Sequence, residues 1–125
     1  MNQKTILIVE DNTSVVDAFT ITFEDLGYKG RLLFATKLSE INQLLKTLEP
    51  VDAIFWDGNI IGGQTTNGTI EVAREKFPNC IMVAMSSDLY EKQLEQGCTL
   101  HLPKPWNLIK FMEIMEQVLA EPVLV

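Results

Sequence analysis

The chain has 125 residues, 46% of them hydrophobic and 8% aromatic, which suits one domain able to bury a core without metals or disulfide staples. A formal net charge of −7 argues against direct nucleic-acid binding, which needs a basic face, and leaves a basic protein partner open. Met1 to Lys4 is polar and the apolar run after it is one short strand, so no leader or membrane span is expected and the cytosol is the expected compartment.

Thr5 to Val9 is a β-branched, apolar strand that ends in Glu10 and Asp11. Asn12 or Thr13 caps the helix that follows, in which Val16, Phe19, Phe23 and Leu26 recur at helical spacing and Gly27 is placed to end it. Gly30 to Phe34 is a shorter, weaker strand. Leu38, Ile41, Leu45 and Leu48 mark a second amphipathic helix, stopped by Pro50.

Ala53 to Trp56 is apolar on both sides, as in a strand covered on both faces of a parallel sheet, and it ends abruptly in Asp57. A loop rich in Gly, Thr and Asn follows, from Gly58 to Asn67. The third helix spans Gly68 to Phe77, with Ile70, Ala73 and Phe77 inward. Ile81 to Met85 is another apolar strand, ending in Ser86, Ser87 and Asp88. A short helix from Leu89 to Gln96 closes at Gly97, and Thr99 to Leu102 makes the fifth strand, before Pro103-Lys104-Pro105. Asn107 caps the last helix, whose inner face reads Leu108, Phe111 or Met112, Met115 and Leu119. Strands alternate with helices throughout, which predicts an α/β fold with a doubly wound parallel sheet.

Parallel strands end at one sheet edge, so Glu10-Asp11, Asp57, Ser86 and Lys104 converge there. Carboxylates brought together repel: at an effective dielectric of 20, each pair ~4 Å apart costs about 4 kcal/mol. The cluster needs a cation, and oxygen-only ligands with waters fit Mg²⁺ better than a full calcium cage. An acidic nucleophile, a divalent cation, an ammonium (Lys104) and a hydroxyl (Ser86) are what phosphoryl transfer to a carboxylate requires. Taken singly, each has a plainer role: strand-end Asp residues form turns, acidic pairs before helices form caps, Ser86 could cap the fourth helix, and Lys104 could be a solvated charge. Their order along one sheet edge favours the joint role.

With these residues in place, the chain resembles the receiver domain of two-component response regulators, over essentially its whole length. The resemblance rests on Glu10-Asp11, Asp57, Ser86 with small Ser87 after it, Lys104-Pro105 before Trp106, and the spacing between them. It implies a flavodoxin-like fold of five strands in order 2-1-3-4-5 with five helices, in a single-domain, chemotaxis-regulator-like protein. It implies that Asp57 accepts a phosphoryl group from a histidine kinase or histidine phosphotransfer protein, with Lys104 and Ser86 assisting. It implies Mg²⁺ held by Asp11, Asp57 and the backbone carbonyl of Asn59, with Glu10 acting through water, and a cis Lys104-Pro105 bond. A downstream protein target would then meet the surface of the fourth helix, fifth strand and fifth helix. Such a domain is a monomer or weak homodimer and no enzyme beyond its own phosphoryl transfer and dephosphorylation.

Two departures stand out. The loop after Asp57 has Ile61 where the family usually has proline and runs about three residues longer before Gly68, a tolerated change in a surface loop. His101 holds the place of the family's switch aromatic, the partner of Ser86 in switching, and an unperturbed His titrates at about pH 6.5. Three other functions fit the residues less well. A haloacid-dehalogenase-like phosphatase wants a second Asp where Asn59 stands. A flavin or nucleotide module wants a phosphate cradle where Glu10-Asp11 would repel it. A degenerate receiver binding partners without phosphorylation would lack a key residue, and none is missing. Cys80 and Cys98 lack metal-ligand spacing and are expected as reduced, buried thiols. If each opens one of two neighbouring strands, the strand spacing of about 4.8 Å also permits a disulfide.

Overall fold

The structure, a computed structural model, describes residues 4–47, 51–57, 59–60, 64–65, 67–86, 95, 97–103 and 107–119. Its elements are β1 (Thr5–Val9), α1 (Thr13–Asp25), β2 (Arg31–Ala35), α2 (Leu38–Thr47), β3 (Ala53–Asp57), β4 (Asn59–Ile60), β5 (Gln64–Thr65), α3 (Asn67–Lys76), β6 (Ile81–Ser86), β7 (Leu100–Pro103) and α4 (Leu108–Leu119). Five strands form one parallel sheet in the order β2-β1-β3-β6-β7, the expected 2-1-3-4-5 when the short hairpin is set aside. The predicted fourth helix, Leu89 to Gln96, lies outside the described residues apart from Glu95, which is helical; α4 is therefore the helix counted fifth from the sequence.

Strand side chains alternate between faces, and the core divides accordingly. Leu7 and Val9 of β1, Ile54 and Trp56 of β3, and Met82 and Ala84 of β6 pack with Ile41 and Leu45 of α2 and Ile70 and Ala73 of α3. Their neighbours Ile6, Ile8, Ala53, Phe55, Val83 and Met85 pack with Phe19 and Phe23 of α1 and with Phe111, Ile114, Met115 and Val118 of α4. The apolar runs are thus continuous because both faces of the central strands are covered. Phe19 meets Phe55 and Phe111 with ring centroids 5.5 Å from each, and Phe23 meets Phe111 at 5.7 Å, all edge to face. That arrangement sets the positive edge of one ring against the negative face of another.

The helix ends follow local chemistry. Asn12 is the N-cap of α1: its Oδ1 accepts from the N–H groups of Ser14 (2.9 Å) and Val15 (3.4 Å). At the other end, Gly27 takes φ +71°, its N–H donates to Glu24 O, and Tyr28 N–H donates to Phe23 O. This is a Schellman closure, completed by the Tyr28 ring packing 5.3 Å from that of Phe23. Asn107 caps α4, its Oδ1 accepting from Lys110 N–H at 2.8 Å. In the first turn of α2, Glu40 accepts from both the N–H and the hydroxyl of Thr36, which precedes the helix, at 2.8 and 2.7 Å.

Three local expectations need correction. The inner stripe of α4 is Phe111, Ile114, Met115 and Val118, while Leu108 is 60% and Met112 37% exposed. Lys110, Glu113, Glu116 and Gln117 mark the outer side of this helix, but the apolar arc opposite them is wide, and the fit of Phe111 among the rings of α1 and β3 decides which part of it faces inward. In α1, Val15 joins the core cluster in place of Val16. The stretch from Gly58 to Asn67 is more than a loop, since β4 pairs antiparallel with β5 (Asn59 with Thr65, Ile60 with Gln64). Gly62-Gly63 between the two strands was the readable hairpin signal.

Candidate phosphoacceptor and metal site

The site lies where the connections reverse direction. From β1 the chain crosses to β2 at the sheet edge, and from β3 it proceeds the other way to β6 and β7. Helices leave β1 and β3 towards opposite faces, which opens a crevice between the C-terminal ends of these two strands. The register pairs Val9 with Trp56, so Glu10 and Asp57 stand level at that crevice on neighbouring strands. Asp11 follows before the cap of α1.

The three carboxylates come together: one oxygen from each of Glu10, Asp11 and Asp57 lies within 4.8 Å of the others. Glu10 is only 1% exposed and Asp57 9%, while Asp11 is half-buried. Backbone bonds hold the β1 end in place, with Glu10 N–H donating to Ala35 O at 3.0 Å and Asn12 N–H to Glu10 Oε2 at 3.3 Å. At an effective dielectric of 20, unit charges 4.8 Å apart repel by about 3.5 kcal/mol per pair. Oxygen donors alone, clustered and largely withdrawn from water, are the donor set of a hard divalent cation that keeps some of its waters. The residues therefore fit Mg²⁺.

Trp56, the residue preceding Asp57, is fully buried on the α2/α3 face. Ser86 ends β6, one step beyond Met85, which pairs with Asp57, and Ser86 itself pairs with Pro103 of β7. The backbone of Ser86 thus stands beside the Asp57 strand end. Asn59 opens β4, two residues beyond Asp57. His101 is half-buried on β7, paired with Ala84. Lys104, the Lys104-Pro105 bond, Trp106 and Ser87 lie outside the described residues, as do the side chains of Asn59 and Ser86. Sequence reasoning did not foresee the β4–β5 hairpin, which begins two residues after Asp57 and so belongs to the rim of the site.

No family model matches the sequence, and no curated protein matches it. Solved structures do. The signal receiver domain of a DNA-binding response regulator from Colwellia psychrerythraea is similar with a TM-score of 0.80 and 22% identity, covering 92% of this chain and 97% of that one. The chemotaxis response regulator CheY4 of Vibrio cholerae is similar with a TM-score of 0.77 and 22% identity, covering 94% and 99%. The receiver domain of a sensor histidine kinase from Pseudomonas aeruginosa, which has a magnesium ion coordinated in its active-site cleft, is similar with a TM-score of 0.77 and 20% identity, covering 94% and 98%. With the strand order, the two-faced core and the acidic crevice already in place, these likenesses make the fold of this chain that of response-regulator receiver domains.

Proposed function

We propose that this chain is the phosphoacceptor signalling domain of a two-component system. The observation that supports it most is the buried cluster of Glu10, Asp11 and Asp57 at the reversal point of the sheet. In this reading Asp57 Oδ attacks the phosphorus of a phosphohistidine on a histidine kinase or histidine phosphotransfer protein. The P–N bond breaks as the acyl phosphate forms. Asp11, Asp57 and the backbone carbonyl of Asn59 would hold Mg²⁺, with Glu10 bound through water. The ion would supply neutralising charge for the transferring oxygens. Lys104 would add a second positive charge, and the Ser86 hydroxyl would donate a hydrogen bond to a transferred oxygen.

Switching would follow as Ser86 turns toward the new phosphoryl group and His101 on β7 adjusts with it. The surface built on the fourth predicted helix, β7 and α4 would then take up a downstream protein target. The domain is a regulator and turns over no substrate but its own phosphoryl group. Net charge −7 disfavours direct contact with nucleic acid. Among the described residues no helix is long and apolar enough to cross a membrane. A cytoplasmic setting is supported by two buried, unpaired thiols.

The test is incubation with acetyl phosphate and Mg²⁺ followed by intact mass spectrometry. A single phosphate adduct that needs Mg²⁺ and disappears in Asp57→Asn is expected. An adduct that persists in that variant, or none in wild type when a known receiver is labelled alongside, overturns the proposal.

A further inference from the structure

Away from the acidic crevice, at the opposite edge of the sheet, the molecule holds its two cysteines side by side. Cys80 lies just before β6 and Cys98 two residues before β7, and these strands are parallel neighbours. Thr99 N–H donates to Met82 O at 3.0 Å, so pairing continues below the first formal rung, Val83 with Leu100, and sets Cys98 level with Ile81. Strand separation and a one-residue offset then place the two cysteine Cα atoms roughly 6 Å apart. Disulfides span about 4.4–6.8 Å between Cα atoms. Both side chains belong to the same buried cluster, which also holds Ala73, Phe77 and Met82, so the two thiols share the α2/α3 face of the sheet.

Arg74 joins the two segments. From α3 its guanidinium donates to Pro78 O at 3.0 Å and to Gly97 O at 2.7 Å, one carbonyl on the approach to each cysteine. The same positive charge acts on both thiols and favours their thiolates, against a larger opposing effect of burial that pushes each up to about 12. A buried pair of this kind reacts slowly and is no fast exchange couple. The Cys80 thiol donates to Ile81 O at 3.5 Å, a weak bond and easily given up.

We propose that Cys80 and Cys98 are an oxidation site that closes to an intramolecular disulfide in the folded protein. The oxidant is a hydroperoxide. One thiolate attacks its terminal oxygen, the O–O bond breaks, and a sulfenic acid forms as hydroxide or alkoxide leaves and takes up a proton. The second thiol then attacks the sulfenic sulfur, the S–S bond forms, and water departs with the thiol proton. Two thiols lose two electrons and the peroxide gains them. The bond would enclose residues 81–97, the segment that carries Ser86, and tie the base of β7 to that of β6. This inference is independent of the phosphoacceptor proposal.

The test treats the folded chain with hydrogen peroxide, and in parallel with diamide, a diazene oxidant that is reduced to its hydrazine and spares methionine, and then reads peptide mass, intact mass and thiol content after denaturation. The expected product is a monomer lighter by two hydrogens, unreactive to maleimide, with a cross-linked peptide joining Cys80 to Cys98. Loop closure of this length should raise Tm by about 10 °C, and dithiothreitol should reverse the change. Cys80→Ala and Cys98→Ala should each remain monomeric with one thiol. Two free thiols after a treatment that oxidises the unfolded chain would overturn the proposal. So would a product that is chiefly intermolecular, or a disulfide monomer that melts below the reduced protein.

Discussion

Asp57 is needed for the proposed chemistry and is costly to the fold. Its carboxylate is buried beside those of Glu10 and Asp11. Removing one partner of such a cluster relieves repulsion that water screens poorly. Asp57→Asn is therefore expected to raise stability by about 1–3 kcal/mol in chelator, with the half-buried Asp11 keeping the gain at the lower end. Urea melts with and without Mg²⁺ check this. Wild type should gain stability from the ion by mass action, and the variant should gain little. A variant that melts below wild type in chelator would mean that Asp57 makes a stabilising contact stronger than the repulsion.

At the scale of elements, α4 offers the sharpest contrast. Phe111 is fully buried against Phe19, Phe23 and Phe55, whereas Leu108 on the preceding turn is 60% exposed. Phe111→Ala is expected to cost about 3–5 kcal/mol, through lost burial and the cavity left behind. Leu108→Ala should change stability by less than about 0.5 kcal/mol. Equal losses at the two positions, in chemical denaturation, would show the helix turned toward Leu108, which lies about 60° from Phe111 around the axis. The start of α1 makes a second case. Asn12→Ala leaves the N–H groups of Ser14 and Val15 without their side-chain acceptor and should cost about 1 kcal/mol, with Asn12→Ser recovering most of it.

Across the whole molecule, stability should fall on the alkaline side. Burial raises Cys80 and Cys98 from 9.0 to about 12, and burial with the negative Asp52 raises Tyr28 from 10.0 to about 12. In the unfolded chain these groups ionise near their ordinary values, while the folded chain keeps their protons. Between pH 9 and 12 the folded state thus binds more protons, and stability declines as pH rises. Each group contributes a slope of at most about 1.4 kcal/mol per pH unit. Tyr28 is half-buried and solvent weakens its share; it joins the sheet edge opposite the site by donating to Lys4 O, beside the bond from Lys4 Nζ to Val118 O at 3.0 Å. Denaturation as a function of pH should show the decline beginning near pH 9 in wild type and flattened in a Cys80→Ala, Cys98→Ala double variant. An undiminished slope in that variant would place the alkaline sensitivity elsewhere.

By itself the sequence determined the alternation of strands and helices, the strand-end position of Asp57 and a cap for the first helix at Asn12 or Thr13. It did so because these are local: apolar runs covered on both faces, helical spacing, and the fixed geometry of a helix start. The acidic cluster was legible too, since parallel strands must present their C-terminal ends at one edge. Only the tertiary structure decided which of Leu108, Phe111 and Met112 faces inward. Ring packing across α1, β3 and α4 makes that choice, because the apolar arc of this helix is wide enough to include Leu108, Phe111 and Met112 together. It also fixed the register in which Asn59-Ile60 pairs with Gln64-Thr65: Gly62-Gly63 signals a turn, but two-residue strands are too short to show alternation. The two cysteines became neighbours for the same reason. Residues 80 and 98 are distant along the chain, and only the lateral register of β6 and β7 brings them within one residue of level.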